Sequence, residues 1–175
     1  MRSRSRSIGV VYLLYFVTAI SAAAITGRGF IELGDAVNVF ATACYAAVTV
    51  LFYFLFKAVN RNISLLAAVF SLAGCAIAAL NVYGLAAGIN PLALFGPYCL
   101  LLGYLILRGA FLPRPLGVLM VLAGLSWIVF LTPFAHAIAT ALMILGFFAE
   151  AGLMLWLLVF GVDERRWQDL AGRVR

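Results

Sequence analysis

Six acids and twelve bases among 175 residues, with 66% of the chain apolar and 10% charged, cannot clothe a water-soluble domain, since soluble chains are near half apolar and a quarter charged. A mean hydropathy of +1.15 makes lipid the solvent for most of the exterior. The net charge of +6 does not signal nucleic acid, because the bases flank apolar runs rather than forming a face. Cys44, Cys75 and Cys99 are odd in number, lie inside apolar runs and lack C-x-x-C spacing. That argues against a disulfide framework or a zinc ribbon, and no metal or cofactor is expected.

In chain order, a basic cytoplasmic tail (1–7) precedes six apolar runs of helical length, at about 8–27, 35–59, 63–88, 91–109, 116–134 and 137–160. Crossing roughly 30 Å of hydrocarbon takes about 20 helical residues, so six spans use nearly the whole chain. A polar turn from Arg28 to Gly34 separates the first two runs, Asn60-Arg61-Asn62 the next pair, Ile89-Asn90-Pro91 the third and fourth, and Leu112-Pro113-Arg114-Pro115 the fourth and fifth. Proline removes a backbone donor and disfavours helix just before it. None of the runs shows the alternation of a barrel strand.

The expected fold is all-α, an integral membrane bundle of six transmembrane helices with both termini in the cytoplasm. Placing the N-terminus inside puts eleven of the twelve bases on one side and leaves only Arg28 outside, beside Glu32 and Asp35, which is the charge bias that sets orientation. Arg2, Arg4 and Arg6 before an apolar stretch and Ala22-x-Ala24 resemble a secretory signal. The stretch is longer than a signal core, so an uncleaved helix is expected, with the Arg-Ser repeat as a disordered topology anchor rather than an RNA-binding tract. Residues 163–175 are read as a cytoplasmic tail, an interfacial helix with Trp167, Leu170 and Val174 on one side being one alternative and a frayed tail the other.

Glu150 is the residue that stands out. It lies about 13 residues into the last run, roughly 20 Å from its start, where an ionisable group must face the bundle interior, be paired, or be protonated. Steps of three and four define a stripe of His136, Thr140, Met143, Phe147, Glu150 and Met154 on one face, expected to point inward. One reading makes Glu150 a proton- or cation-responsive carboxylate lining a cavity with His136 near the outer mouth. The other makes it interhelical glue, bonded to Tyr, Asn, Ser or Arg108. The candidate ligand-binding residues are Glu150, His136, Thr140, Asn81, Tyr45 and Arg108. In the second run Asn38, Thr42, Tyr45 and Thr49 recur at helical spacing and are expected to face other helices. Ala67, Ser71, Cys75 and Ala79 form a small-residue ladder that seats the third helix in the bundle or offers a homo-oligomer seam, joined by Gly84-x-x-x-Gly88. Gly96-Pro97 interrupts the fourth run and is a candidate kink.

No zincin, paired-acid, nucleophile-elbow or phosphate-loop motif is present. Gly9-Val10-Val11-Tyr12-Leu13-Leu14, Lys57 to Ala68, Tyr98 to Leu105, Phe111 to Leu119, Glu150 and Leu155 to Val162 together resemble the bacterial multi-span membrane family catalogued as domain of unknown function 4386. The resemblance runs over nearly the whole chain and implies a membrane fold without a set of catalytic residues. Glu150, Asn60, Arg61 and Arg114 match recurrent elements of it. The expectation is a multi-pass protein of the bacterial inner membrane, a non-enzymatic binding or transport module for a proton or a small or lipid-like ligand. An intramembrane enzyme on a lipid or isoprenoid, or an accessory subunit, is the alternative.

Overall fold

The computed structural model describes residues 2–86, 88–133 and 137–173. These form seven helices and no strand: α1 (Arg2–Gly27), α2 (Ile31–Phe56), α3 (Arg61–Val82), α4 (Leu92–Gly109), α5 (Arg114–Phe130), α6 (Ala139–Val159) and α7 (Glu164–Arg173). Each of the first six packs on the next in sequence, and α6 packs back on α1, so they close a ring. The helices α1, α2, α3, α4 and α6 are long and apolar enough to cross a membrane, while α5 is equally apolar but has 17 residues. The chain is a helical membrane bundle, as its composition requires.

Several boundaries depart from the expected ones for local reasons. The first helix starts at Arg2, so the Arg-Ser segment continues it instead of forming a separate tail. Helix α2 begins at Ile31, with Glu32 in its first turn, where an acid complements the positive end of the helix dipole. Helix α3 stops at Val82, and Gly84 (φ +70°) and Gly88 (φ +90°) sit in the left-handed region beyond it. Those two glycines make the turn; nothing lies against them, so they are not a packing pair. Pro97 lies within α4, which stays continuous to Gly109.

Helices α4 and α5 interlock through four glycines spaced by seven on each helix. Gly96 faces Gly124 and Gly103 faces Gly117, in antiparallel order. A Cβ on Gly124 would stand 2.8 Å from the Gly96 carbonyl oxygen, and one on Gly103 would stand 2.8 Å from that of Gly117. Where lipid removes the hydrophobic drive between helices, such close backbone approach supplies much of the attraction. The α3 ladder is likewise used inside the chain: Ala67, Ser71 and Cys75 are buried and Ala79 half-buried. The Ser71 and Thr49 hydroxyls meet at 2.6 Å.

The two ends of the ring differ. Arg6 donates to the Val159 carbonyl at 3.2 Å, Arg166 to the Ala110 carbonyl at 2.9 Å, and the Asp163 amide to the Phe111 carbonyl at 3.0 Å. The start of α1, the α2–α3 and α4–α5 turns and α7 therefore gather at one arginine-rich end, and Arg28 lies at the other. In α7, Trp167 and Leu170 pack on the core while Arg165, Arg166, Gln168 and Asp169 are exposed. Val174 lies outside the described residues. The Trp167 indole donates to the Leu55 carbonyl at 2.9 Å. Losing one such bond shifts a local opening equilibrium by roughly two- to tenfold, so Trp167→Phe should speed tryptic cleavage at Arg165 and Arg166 by about that factor. Equal cleavage rates would show that the indole does not hold the tail.

Candidate functional site

Glu150, mid-way along α6, is 9% exposed. The Tyr12 hydroxyl of α1 donates to its Oε2 at 2.8 Å and the Tyr45 hydroxyl of α2 donates to the same oxygen at 3.3 Å. Bonds to a buried carboxyl group are worth more than ordinary ones because an unsatisfied partner would be stranded away from water. One side chain thus joins three helices at the centre of the ring.

Aromatic rings surround the acid. Tyr12 lies 5.9 Å from Tyr45 and 5.8 Å from Phe52, both edge to face, and Tyr15 lies 4.7 Å from Tyr45. From α4, Phe95 and Tyr98 approach Tyr45 at 5.4 and 6.2 Å. Helical spacing assembles this box: Tyr12 and Phe16 are four apart on α1, Tyr45 and Phe52 seven apart on α2. Edge-to-face contacts fix ring orientation as well as burying area.

Seven residues are close to two helical turns, so positions seven apart share a face. Traced in that step toward the Arg28 end, burial falls on the lines through the aromatic box, while Val48, Ala41 and Gly34 of α2 and Ala22 of α1 stay buried between the first two helices. On α2, buried Phe52 and Tyr45 lead to exposed Asn38, and buried Phe56 and Thr49 to half-buried Thr42. On α1, Phe16 leads to exposed Ala23; on α6, Leu157 and Glu150 lead to Met143, which is 51% exposed. Ala78 of α3, Pro91 of α4 and Trp127 of α5 are half-buried on lines whose inner members are buried. The lines through Glu150 and its partners are thus more exposed toward the Arg28 end than toward the arginine-rich one.

The candidates named from sequence are dispersed by this geometry. Tyr45 bonds Glu150. Asn81 instead donates to the Ile89 carbonyl at 2.9 Å and secures the α3–α4 turn. Arg108 is exposed, with its Nε donating to the Tyr104 hydroxyl at 3.2 Å, and takes no part at Glu150. Thr140 is exposed, and so are Met143 and Phe147; among the described residues the α6 stripe is buried only at Glu150 and Met154. His136 lies outside the described residues. Tyr12 was the partner that sequence reasoning did not nominate. Its signal was the Tyr12, Tyr15, Phe16 cluster at helical spacing on a first helix otherwise aliphatic. Among the described residues no group of His, Cys, Asp or Glu is placed to hold a metal.

Comparisons with known proteins agree with this architecture. The family described as "Domain of unknown function (DUF4386)" matches residues 87–161, the stretch that carries α4, α5, α6, all four interlocking glycines and Glu150. An uncharacterized protein of Archaeoglobus fulgidus is 31% identical over 121 residues, covering 65% of this chain and 75% of that protein. No solved structure matches. With a membrane bundle whose matched half holds the central acid, the chain belongs to the family described as domain of unknown function (DUF4386).

Proposed function

We propose that the protein is a non-enzymatic binding or transport module that accepts a proton, or a small or lipid-like ligand, at Glu150. The observation that carries this reading is a buried carboxyl group in the middle of a membrane helix whose bonded partners are two neutral hydroxyls. An acid inside a membrane domain is expensive to keep, and interhelical bonding needs only neutral side chains.

In this reading α5 is a sixth span, about 25 Å long at 1.5 Å per residue, with Pro113 and Leu131 at the two interfaces. The Arg6 to Val159 bond supports an even number of crossings, since it ties the start of α1 to the end of α6. The arginine-rich end then faces the cytoplasm of a bacterial inner membrane, following the charge bias of such loops.

Proteoliposomes loaded with a pH-sensitive dye test the proposal. After an imposed pH step, wild-type vesicles should equilibrate faster than empty ones, and Glu150→Gln vesicles should behave as empty. A Glu150→Gln protein that conducts like wild type, or a wild type no faster than lipid alone, removes the reading.

A further inference from the structure

At the arginine-rich end the α4–α5 turn and the start of α7 enclose a groove of about 600 Å³, within the size range of ligand clefts. The Asp163 amide bonded to the Phe111 carbonyl and Arg166 bonded to the Ala110 carbonyl hold its two sides together. One wall is aromatic. Phe160 is 56% exposed, and its ring centroid lies 4.5 Å from that of Trp156. Both adjoin Leu155 and Val159, exposed apolar residues on the lipid side of α6. The other wall is charged, with Asp163, Glu164, Arg165 and Arg166. Asp163 is already engaged: its Oδ1 accepts from the Arg165 and Arg166 amides, and its Oδ2 lies 3.4 Å from Arg166 Nε. Arg165 is exposed, and among the described residues its guanidinium has no hydrogen-bond or ion-pair partner. Exposed Arg114 follows the lining residue Pro113, and Arg6 bonds the Val159 carbonyl beside Phe160. With Arg165 and Arg166 in the groove and Arg6 and Arg114 next to it, four arginines stand against two acids.

The level at which an apolar membrane helix gives way to charged residues is the headgroup layer, where tryptophan is favoured. The groove spans that boundary, apolar on one wall and basic on the other. We propose that it binds an anionic phospholipid of the surrounding leaflet, with the phosphate on Arg165 and an acyl chain along Phe160, Trp156 and Leu155. A guanidinium matches phosphate oxygens in pairs, and basic pockets between membrane helices at this depth hold anionic headgroups. A free anion would leave the aromatic wall bare, whereas a phospholipid covers both walls. Phe160 lies ten residues beyond Glu150, about 15 Å along the helix, so the site is separate from that acid and independent of its role.

The test is quenching of tryptophan emission by phosphatidylglycerol with brominated acyl chains, added to the full chain in detergent. Saturable quenching is expected in wild type and absent from Trp156→Phe. Arg165→Gln, a change at an exposed side chain, should need about fivefold or more lipid for half-saturation, the scale of one basic residue at an anionic surface. Arg28→Gln, at the other end, should titrate as wild type, and inorganic phosphate should not compete. Brominated phosphatidylcholine that quenches at the same concentration overturns the anionic headgroup, and competition by inorganic phosphate overturns the lipid in favour of a free anion. Saturable quenching that survives in Trp156→Phe, or an Arg165→Gln protein that titrates as wild type, overturns the placement of the lipid. A wild type without saturable quenching removes the site.

Discussion

Gly124→Leu should unfold the bundle at markedly lower temperature or detergent stress than wild type, losing about 3 kcal/mol or more, the upper range for forcing extra atoms into a packed core. The reason lies in what surrounds the residue. A Cβ alone would stand 2.8 Å from both the Gly96 carbonyl oxygen and the Leu100 amide nitrogen, and backbone cannot swing aside as a side chain can. Gly124→Ala should lose less and Gly103→Leu about as much as Gly124→Leu, since Gly103 meets the Gly117 carbonyl at the same 2.8 Å. Gly172→Ala, with nothing within 4 Å, is the control and should melt with wild type. Equal melting of Gly124→Leu and Gly172→Ala would mean that α4 and α5 do not approach as described.

The interlock also shows which parts of the fold are legible in the residues and which are not. The membrane class follows from composition, and the succession of long apolar helices follows from the runs, because each is a sum over many positions. The glycines were harder to read. Gly96 and Gly103 are separated by seven, as are Gly117 and Gly124, but a pair on one helix means little until its antiparallel mate is known. Gly84 and Gly88 have the better-known four-residue spacing and yet form a turn. Spacing alone cannot distinguish a glycine needed for close approach from one needed for positive φ. At the site, Glu150 was conspicuous because a single acid in an apolar run has no cheap place to go. Its partners were not, since a tyrosine at position 12 or 45 is ordinary by itself and only the closing of α6 onto α1 brings the two hydroxyls to one oxygen. The α6 stripe misled for a related reason: periodicity gives the direction of a face but not how far along it neighbouring helices cover it, so Thr140 and Met143 share the general face of Glu150 without sharing its burial.

Tyr12→Phe should be the most destabilising single-atom deletion at this centre. It leaves the ring that packs edge to face on Tyr45 and Phe52 and removes only the 2.8 Å donor to Glu150. Loss of a bond to a buried acidic group costs about 1.5–3 kcal/mol, and Oε2 keeps only the longer bond from Tyr45. Tyr45→Phe should cost less, its bond being longer at 3.3 Å. The decisive comparison is made in a Glu150→Met background, which keeps comparable bulk and has no acceptor for either tyrosine. There Tyr12→Phe should be neutral or stabilising, because the hydroxyl is left buried without its partner. The coupling between the two positions, measured as a double-mutant cycle in unfolding free energy, should then recover most of the Tyr12→Phe effect, about 1.5–3 kcal/mol. A coupling near zero would mean that the hydroxyl acts elsewhere. A coupling of the expected size shows that α1 and α6 close on one another through this acid.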